Sequence, residues 1–126
     1  MDIHSFLPYE DTILLKEKTD FNINTPYVFI EIKHEEETEL MLTLKNNIDV
    51  SGGEVKSEAF IYADITEFIK TKYNYDLYVT PSVDGYKWHL FKHENLSVTH
   101  IESSITYKKG IYAMGEGIRY FIEYIC

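Results

Sequence analysis

The stretch from Tyr27 to Leu44 constrains the chain most. It reads Tyr-Val-Phe-Ile-Glu-Ile-Lys, then His-Glu-Glu-Glu-Thr, then Glu-Leu-Met-Leu-Thr-Leu. Side chains on a strand alternate between faces, so Val28, Ile30 and Ile32 line one face of a first strand. Leu40, Leu42 and Leu44 line one face of a second. The expectation is a β-hairpin whose branched aliphatic residues share a single buried face. Its tip carries Glu35, Glu36 and Glu37, flanked by Glu31 and Glu39. These five carboxylates form an acidic crown. Spaced along a strand they would repeat as an anionic row.

The rest of the chain fits an α+β domain around that hairpin. The 11 Tyr and 7 Phe residues favour strands. Asp11 to Lys18 fits either a short helix or a first strand, and Thr25-Pro26 favours an extended entry to the hairpin. Lys45-Asn46-Asn47 reads as a turn, Ile48 to Val50 as a short extended piece and Ser51-Gly52-Gly53 as a loop. Val55 to Ala63 reads as strand. Asp64 then caps a helix over residues 65–73, in which Ile65, Phe68, Ile69 and Tyr73 follow helical spacing and Lys70 and Lys72 fall in the last turn. Tyr75 to Thr80 and Tyr86 to Lys92 form a second hairpin around Asp84-Gly85, with Tyr75, Leu77 and Val79 matched by Tyr86, Trp88 and Leu90. Leu96 to Tyr107 reads as strand. Ile118 to Ile125 is assigned to strand on its Ile, Tyr and Phe content. Helical spacing of Ile111, Met114, Ile118, Phe121, Ile122 and Ile125 is the alternative, against which Gly115 and Gly117 weigh. The predicted fold is a mostly antiparallel sheet of five to seven strands with one principal helix.

A chain of 126 residues fits one compact domain spanning 1–126. The formal charge of −9 disfavours direct contact with nucleic acid or an anionic membrane surface. It favours partners with basic surfaces. Lysine outnumbers arginine 11 to 1, and with frequent Ile and Asn this fits AT-rich codons of a bacterium or phage. The single Cys126 cannot form an internal disulfide, and the start lacks the pattern of a secretion signal. A cytoplasmic location is expected.

Motifs that carry chemistry are sparse. Asp20, Asn22, Asn24 and Glu31 occupy positions of a twelve-residue calcium loop, but Thr25 stands where the turn needs Gly and Val28 where a polar group belongs. His89 and His93 are four apart, which on a strand spans ~13 Å and is too far for one ion. No G-x-S-x-G elbow or phosphate-binding Gly loop occurs, and Cys126 lies at the terminus. The expectation is therefore no catalytic residue, no metal and no cofactor.

On composition alone, the chain reads as a small acidic inhibitor and not as an enzyme. Its expected partner is a protein with a basic surface, such as a nuclease or other nucleic-acid-handling enzyme. The setting would be toxin immunity or phage anti-restriction or anti-CRISPR inhibition. Glu31, Glu35, Glu36, Glu37 and Glu39 are the predicted contact residues, steering association through their summed field. The alternatives are a non-catalytic ligand-binding or structural interaction domain, and an enzyme whose site is dispersed in sequence.

Overall fold

The computed structural model describes residues 5–47 and 53–126. Ile48 to Gly52, which include the expected extended piece and most of the Gly loop, lie outside the described residues, as does His4. The chain is α+β and forms two compact units, Met1–Phe60 and Ile61–Cys126. Each unit has its own three-stranded antiparallel sheet. Among the described residues, one sheet of five to seven strands is thus replaced by two small ones, and the one principal helix by three.

In the first unit, helix α1 runs Tyr9–Lys18, which settles the open choice for residues 11–18. Pro8 sits just before it, where its missing N–H costs nothing. The Thr12 hydroxyl donates to the Pro8 carbonyl at 3.0 Å. Glu10 and Asp11 lie in the first turn and Lys16 and Lys18 in the last, both suiting the macrodipole. Strands β1 (Tyr27–Lys33), β2 (Thr38–Leu44) and β3 (Glu54–Glu58) pair in the order β2-β1-β3. A 3-10 turn, Lys45–Asn47, follows β2. Leu7, Leu15, Phe21, Val28, Phe29, Ile30 and Phe60 are buried. Phe21 meets Phe60 edge-on with ring centroids 4.7 Å apart. The Thr25 hydroxyl donates to the Ala59 carbonyl at 3.0 Å, tying the entry of the hairpin to the segment after β3.

The hairpin forms as expected, but its faces do not. Val28 pairs with Thr43, Ile30 with Met41 and Ile32 with Glu39. Directly opposite residues share a face. Leu40, Leu42 and Leu44 therefore lie with Glu31, Phe29 and Tyr27, on the face opposite Val28, Ile30 and Ile32. The turn is the cause. Lys33 pairs with Thr38 around four tip residues, so even positions meet odd ones throughout. Burial follows strand order, since β1 is central and its Val28, Phe29 and Ile30 are all buried, on both faces. The edge strand β2 leaves Leu40 43% and Met41 39% exposed.

The second unit opens with α2 (Tyr62–Tyr73), earlier than expected; β3 has already ended at Glu58. Ile61, not Asp64, is the N-cap residue, and Asp64 lies inside the first turn. There it still favours the positive end of the dipole. Ile65 and Ile69 are buried, and the helix ends at Asn74, which takes a left-handed conformation with φ 64°. Strands β4 (Tyr75–Ser82), β5 (Gly85–Glu94) and β6 (Ser97–Glu102) follow in sequential order. The β4–β5 turn is two residues, Val83-Asp84. Leu77 pairs with Leu90, Val79 with Trp88 and Pro81 with Tyr86, so the expected cross-strand face is present. β6 stops at Glu102, and Tyr107 returns to bridge Tyr86.

The largest departure is the C-terminus. Residues 118–125, expected as strand, belong instead to the end of helix α3 (Gly110–Tyr120) and to its continuation as a π-helical turn over Phe121–Ile125. Ala113, Gly117, Ile118, Phe121 and Ile122 are buried. Gly117 does not break the helix; it lets the helix approach the sheet. A Cβ there would lie 2.7 Å from Leu77 Cδ1 and 3.1 Å from Trp88 Cβ.

Candidate functional site

The acidic crown sits at the tip of the β1–β2 hairpin. Glu35, Glu36 and Glu37 are exposed, and the turn is closed by the His34 N–H donating to the Glu37 carbonyl at 2.7 Å. The flanking residues depart from a single row. Glu31 shares a face with Leu40 and Glu39 with Ile32, so Glu31 and Glu39 point to opposite sides of the sheet. Glu31 also pairs with Lys56 Nζ at 3.6 Å. Glu39 lies 3.3 Å from His34 Nε2. The three tip carboxylates are together, and the two flanking ones are engaged elsewhere.

The second unit contains a cleft of about 460 Å³ between α3 and the end of β6. Helical spacing puts Glu116, Arg119, Tyr120 and Glu123 on one stripe of α3 and its continuation, and all four line the cleft. Facing them are Trp88, Ser103 and Tyr107. Trp88 and Tyr120 lie 4.9 Å apart by ring centroid, and Tyr120 and Tyr124 4.8 Å apart, making an aromatic ladder along one wall. Arg119, the sole arginine of the chain, donates from Nη1 to Glu116 Oε1 at 3.1 Å. Ser103 is buried, its hydroxyl donating to the Ile105 carbonyl at 2.9 Å. The cleft thus combines aromatic faces, one cation and several carboxylates. Reading residues 118–125 as strand hid this stripe. The signal was the i, i+3, i+4, i+7 spacing of Glu116, Arg119, Tyr120 and Glu123.

The opposite face of the same sheet carries a different set. Even positions of β5, Trp88 and Leu90, are buried on the helix side. Odd positions, Lys87, His89, Phe91 and His93, point away from it. His89 stands opposite Tyr78 on β4 and Glu102 on β6, and Phe91 opposite His100. The Phe91 and His100 rings are stacked at 4.3 Å with 5° between their planes. His89 Nδ1 lies 3.0 Å from His100 Nε2 and 3.4 Å from Glu102 Oε2. Its Nε2 lies 2.7 Å from Thr80 Oγ1. His93 is apart from this group and pairs with Asp76 Oδ2 at 2.5 Å. Spacing along β5 correctly separates His89 from His93. It misses His100 and Glu102, which come from the next strand and become neighbours only through register.

Comparison with known proteins bears on what such a site does. No family model matches the chain, and no solved structure matches it. The chain is 31% identical over 121 residues to the dihydrofolate reductase of Buchnera aphidicola subsp. Acyrthosiphon pisum. The match takes in 94% of this chain and 66% of that protein. The chain thus spans just under two thirds of the relative's length. It extends over both compact units, so it is not one shared motif. This similarity overturns the reading of the chain as an inhibitor of immunity or anti-CRISPR type, and the expectation that it is not an enzyme. Charge and size, on which those readings rested, are shared by proteins of many functions. Sequence identity along nearly the whole chain is a stronger pointer than either. Among the described residues, no helix is long and apolar enough to cross a membrane.

Proposed function

We propose that this chain is an enzyme of folate metabolism that binds a dihydrofolate-type substrate in the cleft beside α3. The observation that carries the reading is the 31% identity to a dihydrofolate reductase over 121 residues. The chemistry of the cleft supports it. Dihydrofolate has a flat bicyclic head with amino and amide groups on one edge, an aromatic linker and a dicarboxylate end. Tyr120 and Tyr124 offer faces for the rings, with Trp88 packed behind Tyr120. Glu116 and Glu123 are acceptors for the amino edge. Arg119 has the fork geometry that suits a carboxylate.

Reduction adds a hydride and a proton across one C=N bond of the head group. The hydride must come from a separate donor, such as a reduced nicotinamide. Gly115 and Gly117 are the closest approach here to a glycine-rich dinucleotide fingerprint. They lie inside α3 rather than at a strand-to-helix turn. Among the described residues, none fits that type of cofactor site.

The chain holds a single tryptophan, and it lines the cleft, so its fluorescence is a local probe. Dihydrofolate titrated into the full chain is expected to quench Trp88 saturably. Arg119→Ala is expected to weaken that binding by about 10-fold, the loss of a charge-assisted contact. A second arm adds reduced nicotinamide dinucleotide and follows its dihydrofolate-dependent oxidation. Absence of both quenching and turnover would overturn the reading.

A further inference from the structure

We propose that His89, His100 and Glu102 form a zinc-binding site on the face of the second sheet turned away from its helices. These three residues each bring one ligand atom into a group lying within 4.8 Å of one another. Two of them are imidazoles and one is a carboxylate, a donor set that suits zinc.

The distances fit a shared ion. Zinc bonds of about 2.0–2.1 Å in a tetrahedron put neighbouring ligand atoms ~3.3 Å apart. The His89 Nδ1 to His100 Nε2 distance is 3.0 Å and the His89 Nδ1 to Glu102 Oε2 distance is 3.4 Å. The remaining edge is within 4.8 Å, and the exposed Glu102 side chain can turn to shorten it. Three protein ligands leave a fourth position open, the pattern of a site that holds water or a substrate atom.

The surrounding residues orient the ligands. Thr80 Oγ1 lies 2.7 Å from His89 Nε2. With Nε2–H donated to that hydroxyl, the lone pair of His89 sits on Nδ1, the atom that faces the other two ligands. Phe91 lies flat against His100 and limits how that ring can tilt. Lys87 Nζ is 4.0 Å from Glu102 Oε1, the carboxylate oxygen not aimed at His89. All of these residues stand on three adjacent strands in register, so the backbone hydrogen bonds of the sheet preorganise them. The proposal does not depend on folate binding, although Glu102 also lines the cleft.

The test is calorimetric titration of Zn²⁺ alone into the metal-free full chain, with circular dichroism to check folding of each variant. The expected result is saturable binding of one ion per chain. His100→Ala and Glu102→Gln change exposed side chains, and each is expected to weaken binding by at least about 10-fold. Thr80→Val removes an orienting partner and is expected to cost about 10 to 100-fold. His93→Ala alters the neighbouring His93–Asp76 pair and is expected to leave zinc affinity unchanged. Failure of the wild-type chain to bind Zn²⁺ saturably would overturn the proposal. So would zinc binding that persists unchanged in His100→Ala and Glu102→Gln, which would leave a hydrogen-bonded histidine pair only.

Discussion

Gly117 faces Trp88 so closely that a Cβ on the glycine would stand 3.1 Å from both Cβ and Cγ of the indole. Two effects then compete in Gly117→Ala. Alanine gains roughly 1 kcal/mol of helix propensity over glycine. Overpacking a filled site costs about 1–3 kcal/mol. The Trp88 Cβ is fixed to a central strand and cannot swing aside, so the steric cost prevails. Gly117→Ala is expected to lower stability by about 1 kcal/mol in thermal unfolding. At Gly115 the nearest atom is the Tyr62 hydroxyl, at 2.5 Å, the far end of a side chain that can move. Gly115→Ala is therefore expected to cost less than Gly117→Ala, and equal losses would show that close approach is not what glycine supplies at 117.

Asn74 ends α2 in the left-handed region and also donates from Nδ2 to the His93 carbonyl. Asn74→Ala loses both its tolerance of that backbone conformation and the side-chain hydrogen bond, for a loss of about 1–3 kcal/mol. Asn74→Gly keeps the conformation at little strain and loses only the side-chain bond. Denaturant midpoints are expected to fall in the order wild type, Asn74→Gly, Asn74→Ala. The reverse order of the two variants would mean that the hydrogen bond, not the backbone, governs this helix end.

The face assignment of the first hairpin has a direct mutational signature. Ile30 is fully buried and Leu40 is 43% exposed. Ile30→Ala is expected to cost about 2–5 kcal/mol through the cavity it leaves. Leu40→Ala, at an edge position with room to relax, is expected to cost under about 1 kcal/mol. Comparable losses at the two positions, measured by urea unfolding, would restore the single buried face that alternation suggests.

Local pattern carried much of the fold. Both hairpins, the helix through Ile65 and Ile69, and the cross-strand match of Leu77 with Leu90 follow from alternation, turn residues and helical spacing. What alternation cannot carry is the parity of the register. Ile30 and Leu42 each alternate correctly on their own strands, yet the four-residue tip puts them on opposite faces. The C-terminal helix was misassigned because Gly115 and Gly117 look like breakers in isolation. They suit the helix only because Tyr62, Leu77 and Trp88 crowd it from elsewhere in the chain. The candidate sites were hidden for the same reason. Glu116 and Arg119 meet only on a helix, and His89, His100 and Glu102 meet only across strands. Acidity, by contrast, was legible at once and said little about activity, as the likeness to a reductase shows.

The central position of β5 has a consequence for how this unit can change over time. Neighbouring residues along one short segment answer to separate demands. Trp88 and Leu90 are held by packing beneath the helices, while His89 and Phe91, one step away, are held by nothing in that interior. Drift at the odd positions can therefore rewrite the chemistry of the outer surface without endangering the fold. Drift at the even positions endangers the fold, and at Trp88 the cleft beneath α3 as well. A library randomising β5 would be expected to split into these two interleaved classes, one scored by survival of the folded chain and the other by what that chain binds.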